Sequence, residues 1–256
     1  MTRAEIVAVL EESRDVSNLP GMARYGINTR NAYGISMPAL RRMAKMIGTT
    51  HQTAQELYRT GIHEAKILAA LIDDPARVSQ TQMEEWAKGF DSWDVTDQVC
   101  TILFDKTPHA WKKALQWSTR LSEYEKRAAY SLMAGLAVHD TSSPDRSFSA
   151  LYPSIIAGAA DERNYVKKAV SWALRNIGKR SARLNISAVR VAERLSVMGS
   201  KSERWIGSDA LRELTGSTAK ARLTIAEHRR SWMRSSGHAS ARSDGRRGGV
   251  RTARHA

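Results

Sequence analysis

One predicted helix, residues 162–178, carries two stripes of side chains on different sides. The first stripe is apolar, and the second alternates aromatic and cationic residues: Tyr165, Lys168, Trp172, Arg175 and Lys179. An ideal helix turns about 100° per residue, so the two stripes are centred roughly 150° apart. Rings that pack on sugars or bases, beside cations that meet phosphates, are typical of a nucleic-acid surface. Two other interpretations stay open: a further helix covers Trp172, or a cation–π contact decorates the surface.

Trp93 and Asp97 form a second candidate pair, one turn apart in a predicted helix over residues 93–105. Residues four apart share a helix face, and these two lie opposite the apolar stripe, so a carboxylate and an indole ring share one polar face. Asp94 lies about 100° around from Trp93 and faces elsewhere. An acid in the first turn also interacts favourably with the helix dipole, which accounts for Asp97 without any catalytic role.

Arg127 is the third candidate, because it lies roughly 180° from the apolar stripe of a predicted helix over residues 122–138. A single arginine on a solvent-facing side is common. Three helices with a polar second face are better evidence, since corresponding faces of a stacked array line one concave surface. That surface would hold two tryptophans, one aspartate and several cations.

Other chemical motifs are incomplete. His63 and Glu64 begin the zinc motif HExxH, but Ile67 stands where the second histidine is required. Neither a phosphate-binding loop nor a dinucleotide glycine fingerprint occurs, and Gly26 and Gly34 are interpreted as loop glycines. The single cysteine excludes an internal disulfide and a cysteine-rich metal site. We therefore expect no metal and no nucleotide cofactor.

The elements that must position these residues are helices. Apolar residues recur at spacings of three and four, and proline is scarce, with 6 in the chain. The predicted helices cover residues 3–15, 37–47, 51–59, 62–72, 79–89, 93–105, 108–118, 122–138, 145–158, 162–178, 184–198, 202–214 and 217–233. Short joints make neighbouring helices antiparallel, which predicts an all-α fold, an α-solenoid of helix pairs. A non-repeating bundle is the alternative, because no fixed sequence period is evident.

Two helix starts carry local signals. Ser36 precedes Met37 and Pro38, and proline is favoured early in a helix. Ser122 has Glu125 three residues later, which predicts a capping box.

The chain is strongly basic, with a formal net charge of +14. Six arginines and one aspartate from Arg234 onward contribute +5, which leaves +9 on residues 1–233. The predicted organisation is one helical domain, 1–233, and a disordered basic tail, 234–256. A basic body favours a polyanionic partner. Since neither a signal-peptide pattern nor an apolar window of ~18 residues occurs, we expect a cytoplasmic protein that does not enter a membrane. We also expect a monomer.

Several segments together resemble a known family, the AlkD-type DNA alkylation repair proteins. Residues 93–97 (WDVTD) resemble their WDxxD segment, residues 126–129 (KRAA) their arginine helix, and residues 167–175 (KKAVSWALR) their KAxxWxLR helix. Residues 33–41 and the helix that begins at His63 also resemble family landmarks. The likeness covers about residues 20–215, and it implies a curved stack of HEAT-like helix pairs.

The resemblance also implies a site and an activity. The site would consist of Trp93, Asp97, Arg127 and Trp172. The activity would be that of a monofunctional glycosylase that removes N3- or N7-alkylated purines from double-stranded DNA. Asp97 would face the sugar cation and position water, the tryptophans would hold the deoxyribose, and Arg127 would bind a phosphate. The resemblance further implies that the lesion would be recognised through its backbone and charge, without a base pocket.

Further DNA contacts are predicted from the second stripe of helix 162–178, at Tyr165, Lys168, Arg175 and Lys179. Two other functions remain open. One is a non-catalytic binder of damaged, bent or branched DNA on the same scaffold. The other is a protein–protein scaffold, against which the +9 of residues 1–233 speaks.

Overall fold

The computed structural model describes residues 1–217, in which all regular structure is helical. The α-helices are α1 (Arg3–Glu12), α2 (Leu19–Arg24), α3 (Met37–Ile47), α4 (His51–Tyr58), α5 (His63–Ile72), α6 (Gln80–Lys88), α7 (Trp93–Ile102), α8 (Ala110–Trp117), α9 (Glu123–His139), α10 (Asp145–Ser149), α11 (Tyr152–Ala159), α12 (Asn164–Gly178), α13 (Ala182–Ser196) and α14 (Lys201–Leu214). Two 3-10 helices, Val16–Asn18 and Phe104–Lys106, join neighbouring α-helices.

The helices form two layers. In one layer, α5, α7, α9, α12 and α14 each pack against the next. Helices α4, α8, α11 and α13 form the other layer and pair with α5, α9, α12 and α14 respectively. The predicted all-α stack of helix pairs is therefore confirmed, and the three helices with candidate site residues, α7, α9 and α12, are consecutive members of the first layer.

The core between the layers is continuous. Helix α9 lies at its centre, and every residue over 127–137 is buried. A chain of aromatic contacts fills one end: Tyr58 stacks on Trp86 at 4.1 Å, Trp86 meets Phe104 at 5.9 Å, and Phe104 meets Trp117 at 6.2 Å between ring centroids. Burying each large apolar side chain contributes about 1.5–3 kcal/mol. This packing fixes the positions of α7, α9 and α12.

The structure differs from the predicted helices in three places. The helix predicted over 145–158 is two helices, α10 and α11, because Pro153 lacks the N–H that would bond the preceding turn. Helix α7 ends at Ile102 and not at residue 105. Helix α2 was not predicted, since its six residues include Pro20 and bury no side chain in the core. The predicted helix 217–233, apart from its first residue, and the basic tail lie outside the described residues.

The two predicted helix starts have different outcomes. Helix α3 begins at Met37 with proline in its first turn, as predicted. The capping box at Ser122 is wrong, because the Ser122 side chain makes no capping hydrogen bond. Glu125 instead accepts a hydrogen bond of 2.9 Å from Arg120, and this ion pair takes the carboxylate that the capping box required.

The incomplete zinc motif has a structural explanation. The Glu64 carboxylate is 1% exposed and accepts backbone N–H bonds of 2.8 Å from Tyr33, 2.7 Å from Gly34 and 3.2 Å from Ile35. Gly34 has φ +78°, and an added Cβ would lie 2.0 Å from the Asp15 carbonyl oxygen. Glu64 thus anchors the loop before α3.

The variant Glu64→Gln tests this anchor. An amide can accept on one side only, so at least one buried N–H loses its partner, and we expect a loss of about 1–3 kcal/mol of unfolding free energy. Denaturant unfolding measures the change. Glu12→Gln is the control, because Glu12 is exposed and pairs with nothing else in residues 1–217. Equal stability of the two variants would contradict the anchoring role.

Candidate functional site

An ion pair joins α7 to α9 at the centre of the stack. The Arg127 guanidinium donates from Nε to Asp97 Oδ1 at 2.9 Å and from Nη2 to Asp97 Oδ2 at 2.6 Å. Ser131, one turn further along α9, donates to Oδ1 at 2.6 Å. Two-point pairing of a guanidinium with a carboxylate fixes both planes. The Asp97 carboxylate therefore has one orientation, and its side chain is 14% exposed.

Arg127 also reaches α12. Its Nη1 donates to the Tyr165 backbone carbonyl at 2.5 Å, and the residue is 5% exposed. The sequence placed Arg127 on a face opposite the core stripe, from which it would bind a phosphate. The structure buries that face, because α9 lies between α7 and α12 and both neighbours cover it. Three of its N–H groups are directed at protein acceptors.

Trp93 lies beside this pair. The Arg127 guanidinium carbon is 5.7 Å from the centroid of the Trp93 ring, within the range of a cation–π contact. The indole N–H donates to the Tyr25 carbonyl at 3.0 Å, which fixes the ring. Trp93 lines a cavity of about 260 Å³ together with Tyr25, Arg127, Tyr165 and Lys168. Trp93 and Asp97 of α7 and Arg127 of α9 are therefore in one place.

A segment near the N-terminus, residues 25–28, crosses from α7 to α12. The Tyr165 hydroxyl donates to the Gly26 carbonyl at 3.0 Å. Gly26 has φ +74°, and an added Cβ would lie 2.1 Å from that hydroxyl oxygen, so the close approach requires glycine. At the other side, the Asn28 N–H donates to Ser92 Oγ at 3.3 Å. Residues 25–28 thus border the cavity at Trp93.

The other residues of the aromatic and cationic stripe on α12 have two kinds of surroundings. Lys168 is exposed and makes no ion pair within residues 1–217. Trp172 is half-buried and packs against the core. Arg175 and Lys179 instead face α14, where both pair with Glu213, Lys179 at 2.6 Å. Burial acts to raise the pKa of Glu213, but hydrogen bonds from Lys179 and Arg175 outweigh it and lower that pKa.

Asp94 follows Trp93 on α7 and contacts α5. Its Oδ2 lies 2.9 Å from His63 Nε2, and its Oδ1 accepts from Ser92 Oγ at 2.5 Å. Burial acts to lower the pKa of His63, but the hydrogen bond and charge of Asp94 outweigh it and raise that pKa. Burial acts to raise the pKa of Asp94, but His63 lowers it overall. The pair is therefore an ion pair below the raised pKa of His63.

Sequence reasoning missed two contributors to the site. Ser131 follows Arg127 by four residues, so same-face spacing was a usable signal. Tyr25 holds Trp93 through a backbone carbonyl, which any residue can supply, so its side-chain type carried no signal.

Within residues 1–217, no group of three or more His, Cys, Asp or Glu side chains is placed to hold a metal ion. Of the helices described, none has the length and apolar character required to cross a bilayer.

The fold and the site together define a helical-repeat protein whose first layer presents an ion-paired carboxylate, tryptophans and a lysine. Comparison with known families agrees: the model of the family described as "DNA alkylation repair enzyme" matches residues 6–214. The chain belongs to this DNA alkylation repair family.

One solved structure shares the fold with a TM-score of 0.69 at 20% sequence identity, over 84% of this chain and 96% of the other. It is described as "a new family of proteins related to the HEAT-like repeat DNA glycosylases with affinity for branched DNA structures". The HEAT-like architecture expected from the sequence is thereby confirmed. None of the curated proteins compared with the chain matches it.

The ion pair between His63 and Asp94 predicts a pH-dependent stability. A folded-state pKa above the ordinary 6.5 gives stabilisation that is complete below 6.5 and is lost as pH rises through the folded value. The difference in unfolding free energy between wild type and His63→Gln should therefore shrink as pH rises from below 6.5 through the raised folded-state pKa of His63. Denaturant unfolding across this range measures it.

Asp94→Asn is the companion variant. It removes the charge that favours protonated His63, so its stability should also fall less than that of wild type as pH rises. Parallel curves for wild type and His63→Gln would show that the pair contributes no pH-dependent stability.

Proposed function

We propose that the protein is a DNA glycosylase that releases cationic N3- or N7-alkylated purines from double-stranded DNA. The observation that carries the proposal is the Asp97 carboxylate, held in one orientation beside Trp93 by Arg127 and Ser131. Membership of the DNA alkylation repair family and the basic charge of the body support the same substrate class.

The chemistry requires little from the protein. Alkylation at N3 or N7 makes the purine cationic, so the base leaves without a general acid. The sugar then develops oxocarbenium character, as in glycoside hydrolysis. A fixed carboxylate stabilises that charge without reorganising during the reaction. In this scheme Asp97 faces the sugar, and Trp93 and Trp172 hold the deoxyribose with their electron-rich ring faces.

The hydrogen bonds of Asp97 are compatible with this role. An ionised carboxylate has about four acceptor positions. Oδ1 accepts from Arg127 and Ser131, and Oδ2 accepts from Arg127 alone, which leaves one position on Oδ2. That position can take the attacking water. Arg127 is then a positioning residue for Asp97, in place of the phosphate contact expected from the sequence.

Fewer lysine and arginine side chains are free to bind the DNA backbone than the sequence predicted. Lys168 borders the cavity at Trp93 and is exposed, so it is the best candidate for a phosphate contact. Arg175 and Lys179 already share Glu213. Tyr165 contributes its hydroxyl to Gly26 and therefore supports the cavity wall.

A second candidate function is a non-catalytic binder of branched DNA. The ion pair favours it, because Arg127 neutralises Asp97 and weakens the field that a developing cation would meet. The structural relative with 0.69 TM-score is described as having affinity for branched DNA. The two candidates differ in one measurable event, the release of a base.

The variant Lys168→Ala tests the phosphate contact. We expect weaker binding to intact and alkylated duplexes alike, with the salt slope of log K flattened by about one unit. Lys179→Ala is the matched control on the same stripe and should leave the slope nearly unchanged, because Lys179 pairs with Glu213. Fluorescence anisotropy at several salt concentrations measures both. A larger change in slope for Lys179→Ala would reverse the assignment.

The variant Asp97→Asn tests the chemistry. Removing a preorganised charge costs on the order of a hundredfold or more in rate. We expect that loss in single-turnover release of 7-methylguanine from methylated duplex DNA, with DNA affinity retained. Arg127 loses its partner, so stability should also fall by about 3–5 kcal/mol, and the assay is run well below the unfolding temperature.

Asp161→Asn is the matched control. Asp161 pairs with Lys126, the residue before Arg127, and with Arg163, and its side chain is 9% exposed. The substitution removes comparable ion pairs without touching Trp93, so it should lower stability and keep the rate. An Asp97→Asn rate equal to wild type would exclude Asp97 as the stabilising carboxylate. Wild-type protein that binds DNA and releases no base would favour the branched-DNA binder.

A further inference from the structure

A second cavity adjoins the one at Trp93. It measures about 500 Å³ and lies among α2, α3, α5 and α7. Trp93 and Tyr25 line both cavities, which are therefore neighbours. A volume of this size falls within the range of about 300–1,000 Å³ that is typical of ligand sites. Neither the candidate catalytic residue Asp97 nor its partner Arg127 lines it.

Most of the cavity wall is apolar. The apolar lining residues are Met22, Ile27, Ile35, Met37, Leu40 and Ile67. The exposed residues Gly21 and Tyr25 stand at its rim. A wall of this kind favours a flat apolar surface over a charged or strongly hydrated group.

The remaining wall is polar: Asn18 and Ser36 contribute to it, and two helices supply three further side chains. Helix α7 presents Asp94 and Gln98, four residues apart, and α5 presents His63. Asp94 is occupied by His63 and Ser92. The Gln98 side-chain amide has no hydrogen-bond partner in the described part of the chain and offers both a donor and an acceptor. The cavity thus has one edge that can pair with a heterocycle.

Helix α7 therefore has two polar faces that lie side by side. Trp93 and Asp97 face α9, where Arg127 binds the carboxylate. Asp94 and Gln98 face the second cavity. DNA held at Trp93 would bring its bases within reach of that cavity. Exposed arginines on the bordering helices, Arg24 on α2 and Arg41 on α3, suit the accompanying phosphates.

We propose that this second cavity receives an unpaired nucleobase of the bound DNA. The faces of the base pack on the apolar wall and its polar edge pairs with Gln98. A base has flat apolar faces and a rim of donors and acceptors, which matches an apolar wall with one polar edge. An unpaired base is the favoured occupant, because removing it from the helix costs least. This site for an unpaired base is distinct from recognition of the lesion, for which the family resemblance implies no base pocket.

The inference requires DNA binding, as does the proposed function, but it does not require excision. The test therefore uses unmodified DNA: a duplex with 2-aminopurine as a single-nucleotide bulge, titrated with the full-length protein. Enclosure of 70–90% of the base should reduce its collisional quenching by acrylamide about three- to tenfold. Release of 7-methylguanine, measured separately, reports on the proposed function alone.

Gly21→Phe is the blocking variant. Gly21 has no left-handed φ, and an added Cβ meets no atom within 4 Å, so the ring can enter the cavity without strain. We expect perfect-duplex affinity to be retained and protection of the bulged base to be lost. Ala23→Phe, an exposed position on the same helix that does not line the cavity, should protect the base as wild type does.

Gln98→Ala removes the side-chain amide that would pair with the base, and it breaks no hydrogen bond of the described structure. It should weaken binding to the bulged duplex several-fold, about the worth of one lost hydrogen bond, and leave binding to the perfect duplex unchanged. Wild-type protein that leaves the bulged base as open to acrylamide as in free DNA would overturn the proposal. Equal protection by wild type and Gly21→Phe would also overturn it, because the base would then be enclosed elsewhere.

Discussion

The ion pair between Asp97 and Arg127 determines how the centre of the molecule is built. One guanidinium on α9 contacts α7 through the carboxylate and α12 through the Tyr165 carbonyl, so three consecutive helices of the first layer meet at a single side chain. Charges are tolerated in such a place only when each has partners, and Ser131 completes the set. The Trp93 ring lies against the same guanidinium, and both cavities adjoin that ring.

The sequence predicted which helix face a side chain lies on better than it predicted which residues pack against that face. Helical periodicity gave the bounds of α3 and placed Trp93 and Asp97 on one face, because that information is local to a helix. A helical wheel does not show which other helices pack against a given face. Arg127 was expected at the surface and is buried, since two helices distant in the chain pack over it. Lys179 was expected at DNA and faces Glu213, 34 residues away.

Two carboxylates, Glu213 and Asp94, have opposite effects on the positive charge of the first layer. Glu213 neutralises part of the α12 stripe, which confines exposed positive charge to Lys168 near Trp93. Asp94 holds a histidine whose pKa is raised, which adds positive charge beside the second cavity as pH falls. The net charge of the chain therefore says little about where an anion would bind. Local pairing decides it, residue by residue.

Repeat proteins generally contact only their neighbours along the stack, so they can unfold from either end in steps. The hydrogen bond between the Tyr165 hydroxyl and Gly26 departs from that rule, because it joins positions 139 residues apart. With Trp93 bound to Tyr25, residues 25–28 connect the first helices directly to α12. An early step of unfolding at the N-terminus must break contacts of a late repeat. Four residues of irregular backbone thus couple the unfolding of the first helices to that of α12.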